Sequence, residues 1–221
     1  MLAEDLIDPL LPTLRPTDTV GKALDWMQEF RIPQLVLADG EHYAGLLSEE
    51  RLMNADEDVA LSEIQPEHAE VSVQPYQHLF DLLRTSQVYQ LEVLPVVDEE
   101  QHFSGSISVN DLLRKFSEDM GTQEEGAVIV LKMEDRDYSM AEVSRLVESN
   151  DVKIISSYFK SGDYDSGEPG KLTLKLNRRD IRTVVATFER YSYNIDSVFT
   201  TEPLDNTDRE RLEMLLKYLN I

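Results

Sequence analysis

Two pairs of residues, each spaced three apart, could do chemistry. Ser108 and Asp111 stand at the head of a stretch with helical periodicity, and Ser48 and Arg51 hold corresponding places earlier in the chain. A helix N-terminus offers unpaired N–H groups to an anion, while a carboxylate one turn along accepts both hydroxyls of a ribose. Ser and Asp in a first helical turn also cap the helix and complement its dipole with no ligand at all, so either role is open. Arg51 has no acceptor. The earlier place has therefore lost sugar recognition or turns a guanidinium to a phosphate, the plainer alternative being a surface ion pair with Glu49, Glu50 or Asp56. Arg114 and Lys115 follow Asp111 closely and are secondary candidates for a phosphate.

Other chemistries find little support. The chain has no cysteine, which removes disulfides, thiolate nucleophiles and sulfur-based zinc sites. Its four histidines, His42, His68, His78 and His102, show no i, i+4 pairing with one another and no HExxH arrangement, so no metal site is expected without long-range convergence. GxSxG, GxxxxGKS and GxGxxG motifs are absent, and with 43 acidic residues chance carboxylate pairs are inevitable. A non-enzymatic protein is expected.

A length of 221 residues exceeds the usual single-domain size of roughly 100 to 150 and points to two compact units. The net charge of −22 is uneven: residues 1–126 carry 26 acidic and 7 basic side chains, residues 127–221 carry 17 and 14. Such an acidic first half repels polyphosphate and anionic lipid, so neither nucleic acid nor membrane is an expected partner. Glu4, Asp5 and Asp8 precede the first base, Arg15, the wrong sign for a secretory or mitochondrial leader, and no apolar run reaches the roughly 20 residues of a membrane span. The expected location is the cytoplasm.

Self-comparison organises the first half. Pro16, Leu24 and Asp39 recur 59 residues later as Pro75, Leu83 and Asp98, whereas His42, Tyr43, Gly45, Ser48 and Leu52 recur 60 later as His102, Phe103, Gly105, Ser108 and Leu112. One residue is inserted in a turn, DGEH becoming DEEQH, where the flanking strands keep their register. Each copy predicts a helix, a strand (34–38 or 93–97), a turn, a second strand (43–47 or 103–107), then a glycine-bearing entry to a second helix.

The second copy's GSISVNDLL, with Gly105, Ser108 and Asp111, and the preceding VLPVVDEE resemble CBS repeats. The first copy's GLLSEERLM keeps Gly45 and Ser48 but has Arg51 in place of the Asp. The resemblance implies a tandem pair over 1–122, with repeats at about 1–62 and 63–122, packed about a pseudo-twofold axis and leaving two clefts. The ligand it implies is an adenine nucleotide (AMP, ADP or ATP) or S-adenosylmethionine, bound for regulation, with Ser108 toward the phosphate and Asp111 toward the sugar. No cofactor is required.

Gly121–Gly126 is a linker or short loop, and a new order, βαββαβ, begins at Ala127. Strands are expected over 127–133, 152–159, 172–176 and 194–199, with helices over 139–149 and 180–191; Ser139 and Glu142 form a capping box and Asp180 caps the second helix. This is the ferredoxin-like split βαβ order, making the whole chain α+β. The string MEDRDYSMAEVSRLVESNDVKI over this region resembles ACT domains, with Asp135 and Arg136 in the ligand loop. Asp137 and Tyr138 stand where amino-acid-binding members carry Pro and Gly. A plain dimerisation or packing module is the alternative for 127–201. A last helix is expected over 206–220, with Thr207 and Glu210 as a capping box and a leucine stripe that needs a partner. Both resemblances imply a homodimer, and a downstream protein partner would receive the signal.

Overall fold

The structure, a computed structural model, describes residues 1–163 and 166–200; the helix expected over 206–220 lies outside them. Contacts divide the chain into two units, Met1–Phe116 and Ser117–Ile221.

The first unit repeats itself. Helices α1 (Val20–Phe30) and α3 (Leu79–Tyr89) correspond residue for residue at an offset of 59. Each ends on a left-handed residue, Arg31 and Gln90. Strands β1 (Thr13–Leu14), β2 (Gln34–Asp39) and β3 (His42–Ser48) form one sheet, with β1 parallel and β3 antiparallel to β2. In the second copy β4 (Val93–Val97) and β5 (Phe103–Ser108) pair antiparallel, and a single bridge from Val73 to Val96 replaces β1. Short helix α2 (Glu49–Leu52) follows β3, and α4 (Val109–Asp119) follows β5. Val, Leu and Ile from both copies form one buried cluster, including Leu35, Leu46, Leu94 and Ile107.

The two copies are tied by exchanged lead segments. A short 3-10 turn at Ala3–Leu6 sends its N–H groups to the second copy, Ala3 to Gln77 O and Glu4 to Pro75 O, at 2.9 and 3.0 Å. The turn at Leu61–Glu63 does the same to the first, Leu61 to Asp18 O and Ser62 to Pro16 O, at 2.8 and 2.9 Å. Beyond these turns each lead segment crosses the other copy's second strand. There the crossed residue is glycine: a Cβ on Gly45 would lie 2.7 Å from Pro66 Cβ and 2.8 Å from Glu67 O, and one on Gly105 would lie 2.5 Å from Ile7 Cγ2. Both glycines sit beside a register shift with φ of 140° and 146°, which L side chains rarely adopt. Buried Gln34 adds a further link, its Oε1 accepting the Glu92 N–H at 3.1 Å.

The second unit is a four-stranded antiparallel sheet in the order β7 (Ile154–Lys160), β8 (Gly170–Leu176), β6 (Ala127–Met133), β9 (Asn194–Phe199). Alternate residues Ala127, Ile129, Leu131 and Met133 of β6 share one buried cluster with Val143, Leu146 and Val147 of α5 (Met140–Glu148) and Val184 and Phe188 of α6 (Arg182–Arg190). Period-two burial on the strand and period-3.6 burial on the helices place both helices on one face. This is the ferredoxin-like order. Residues 121–126 form the expected short loop between α4 and β6, with Gly121 lying against Ile155 of β7. One local expectation is corrected. Asp180 is not the N-cap of α6, a place held by Ile181, although its carboxylate still accepts the Arg182 N–H at 3.2 Å.

Candidate functional site

The two motif positions share a backbone frame. β3 ends at Ser48 opposite Gln34, and β5 ends at Ser108 opposite Val93. The first N–H of each following helix is taken by the loop before the paired strand, Glu49 N to Pro33 O at 2.8 Å and Val109 N to Glu92 O at 3.0 Å. The side chains then differ.

In the first copy the Ser48 hydroxyl accepts the Arg51 N–H at 3.3 Å and donates to Glu67 Oε2 at 2.7 Å. Glu67 is held there by the lead segment, which exchanges N–H···O bonds with Leu46 at 2.7 and 2.8 Å. A carboxylate thus stands beside the hydroxyl, repelling a phosphate at that point. The first copy's Arg51 is exposed.

In the second copy the residue corresponding to Glu67 is Asp8, whose N–H donates to Ser106 O at 3.0 Å. Shorter by one methylene, its carboxylate turns back to accept the Leu10 N–H at 2.8 Å. Ser108 is buried, and Asp111, in the first turn of α4, pairs with Arg114 Nη2 at 2.7 Å while keeping about a third (33%) of its side chain in solvent. Lys115 lies on the same helix. Ser108, Asp111 and Arg114 are therefore gathered at one helix start, whereas Ser48 is gathered with Glu67, a residue that sequence reasoning missed. The signal was available: the offset of 59 sets Glu67 against Asp8.

In the second unit Asp135 and Arg136 form one 3-10 turn after β6. Asp135 Oδ1 accepts the Gly162 N–H at 3.0 Å and so fastens the loop between β7 and β8, while Arg136 lies in solvent. Tyr138 stacks on Phe159 at 4.5 Å, closing the turn over the hairpin. Asp180 is held at about 2 by hydrogen bonds from the Arg182 guanidinium and N–H.

Three cavities lie away from both motifs. One of about 310 Å³ is lined by Glu70, Gln77, Asp81, Arg84, Thr85 and Tyr89, on the outer side of α3. Two of about 680 and 920 Å³ flank Val152 and Arg178 in the second unit. Among the described residues, none of these three is lined by Ser48, Arg51, Ser108, Asp111 or Arg114.

Residues 61–118, the lead segment through α4 of the second copy, match the family model of the CBS domain. The chain carries a CBS domain. Among similar solved structures, a CBS domain pair/ACT domain protein from Thermotoga maritima shares 24% identity over 53% of this chain and 98% of its own, with a TM-score of 0.49. The CBS domains of a transcriptional regulator from Streptococcus pneumoniae share 18% identity over 52% and 98%, with a TM-score of 0.45. The cytosolic domain of the Mg²⁺ channel MgtE in complex with ATP shares 27% identity over 52% of this chain and 48% of its own, TM-score 0.43, so this chain spans about half of it. The matched segment holds Gly105, Ser108, Asp111 and Arg114, while Gly45, Ser48 and Arg51 belong to the copy before it. Among the described residues no helix is long and apolar enough to cross a membrane.

Proposed function

We propose that this chain is a non-enzymatic regulatory protein whose CBS domain senses a small molecule, an adenine nucleotide or a derivative such as S-adenosylmethionine, at the start of α4. The observation that carries this reading is Asp111: a partly solvent-exposed carboxylate three residues after Ser108, at a helix start and inside the segment matched to the CBS family. Ribose hydroxyls would take the place of Arg114 on the carboxylate, and the freed guanidinium would meet the phosphate. Ligand contact here would bias the packing between the copies, because the lead segment crossing β5 belongs to the other copy. A homodimer and a downstream protein partner in the cytoplasm complete the proposal; nucleic acid and membrane are not partners.

The test is thermal unfolding with adenine and guanine nucleotides, S-adenosylmethionine and amino acids, on wild type and Asp111→Ala. A ligand at a hundred times its Kd stabilises the native state by about 2.7 kcal/mol. The expected result is a rise in Tm with an adenine compound that Asp111→Ala abolishes; no rise with any nucleotide would sink the proposal.

A second reading has its own support. The Ser48–Glu67 contact and the exposed Arg51 in place of a carboxylate favour an interaction module that keeps the folds for dimerisation and partner binding without a ligand. Asp135, engaged with Gly162, leaves the ACT-like loop a structural task. An amino acid that raised Tm and failed to do so in Asp135→Ala would restore ligand binding to that loop.

A further inference from the structure

The turn between β4 and β5 gathers a donor set that neither motif uses. Asp98 begins it, and Asp98 Oδ1 accepts the Glu100 and His102 N–H groups at 2.9 and 2.8 Å, which curls the turn back on itself. His102 Nδ1 then lies 3.4 Å from Asp98 Oδ2 and 3.6 Å from Glu100 Oε2. One ligand atom from each of the three residues falls within 4.8 Å of the others. Bonds of about 2.1 Å to a tetrahedral zinc ion imply ligand-to-ligand edges of about 3.4 Å, so two edges are already near length. The inserted residue that lengthens DGEH to DEEQH is what gives this turn room to bring Glu100 and His102 round to Asp98.

A second imidazole comes from the other copy. His42 and His102 face each other in an antiparallel bridge, and the Phe103 N–H reaches past them to Glu41 O at 2.7 Å. Such a pair without direct hydrogen bonds brings the Cα atoms to about 4.5 Å and sends both side chains to the same face. The rings that follow, Tyr43 and Phe103, stack at 6.4 Å and fix the register. The backbone bridge thus brings His42 of one copy opposite the turn that holds Asp98, Glu100 and His102 of the other.

We infer that this junction binds a divalent transition-metal ion of the zinc class through Asp98, Glu100 and His102, with His42 completing the set after rotation about its side-chain bonds. Imidazole nitrogen selects such ions over magnesium and calcium, which favour oxygen alone. Bound there, the ion pins the β2–β3 hairpin to the β4–β5 hairpin and stiffens the junction between copies. The site is independent of Ser108 and Asp111, so its fate and that of the nucleotide proposal separate.

The experiment titrates Zn²⁺ into the full chain at pH 7.5 against a chromogenic chelator, and Co²⁺ with its visible spectrum as the readout of tetrahedral ligation. One ion per chain is expected, weakened at least tenfold in His102→Gln and Asp98→Asn and severalfold in His42→Gln. His68→Gln and Asp111→Ala should match wild type. Because all of these donors are solvent-accessible, Tm without metal should stay close to wild type and certify folding. Stoichiometric binding that survives His102→Gln in a folded variant, or no stoichiometric binding at all, overturns the inference.

Discussion

The two copies of the first unit share one backbone plan and fill it with opposite chemistry. The first spends polar groups on itself: Ser48 on Glu67, Asp18 on Lys22 at 2.5 Å, and Lys22 over the Trp26 ring at 4.3 Å. The second has Gln77, Asp81 and Thr85 at the places of Asp18, Lys22 and Trp26, and a cavity of about 310 Å³ opens among them. Its motif keeps a carboxylate, Asp111, partly in solvent, and Asp8 is too short to follow Glu67. A duplicated fold can thus keep one copy as a self-satisfied support and leave the other with groups to offer.

The largest effect should come from the crossings. Gly45→Ala meets the backbone oxygen of Glu67 and the Pro66 ring, whereas Gly105→Ala meets a methyl of Ile7, which can give way. Both pay for a disfavoured φ, so Gly45→Ala should cost about 3 kcal/mol and Gly105→Ala visibly less by denaturant unfolding. Equal losses would break the distinction between a rigid and a yielding crossing.

Next is the aromatic asymmetry. Trp26 packs partly buried on the core, so Trp26→Ala should cost about 2 kcal/mol, below the 3 to 5 of a fully buried ring. Thr85→Trp should be close to neutral, since the cavity beside it has room for the indole. A cost for Thr85→Trp as large as the loss at Trp26 would show the cavity to be needed as it is.

Asp18 gives a smaller, pH-dependent contrast. Burial pushes its carboxyl up, but hydrogen bonds from Lys22 and the Arg15 N–H, with the charges of both residues, more than reverse this and leave it below the ordinary value. Its contribution is therefore complete above the unfolded carboxylate value, about 3.9, and is lost as pH falls through the lower folded value. Asp18→Asn should cost about 1 kcal/mol at pH 7, with the gap to wild type closing below pH 4. Gln77→Ala in the second copy should show no such closure.

The subtlest change probes the motifs. Glu67→Gln keeps an acceptor for Ser48 and removes the charge, and Arg51→Asp supplies the missing carboxylate. Together they should alter stability by only about 0.5 kcal/mol and, on the proposed nucleotide site at Asp111, raise ligand stoichiometry in calorimetry from one to two per chain. A stoichiometry unchanged at one would place the difference between the copies elsewhere than in these two side chains.

Much of this is legible in the sequence. The offset of 59 changing to 60 marks the repeat and its inserted residue, and the expected strands 127–133 and 194–199 coincide with β6 and β9. Helix ends were harder, as at Asp180, because a carboxylate can satisfy a first-turn N–H from more than one position. Glu67 escaped notice because nothing local marks it; it gains meaning only where the lead segment crosses β3.

By itself the sequence determined the elements, the duplication and the helix start that holds Ser108 and Asp111, since local spacing decides which backbone N–H groups and apolar faces need satisfying. Only the tertiary structure decided what satisfies them. Lead segments cross to the opposite copy, Glu67 reaches Ser48, and His42 meets His102, because an apolar pattern records that a face is buried without recording against what. Contacts between residues distant in the chain are fixed by the packing of all the elements at once.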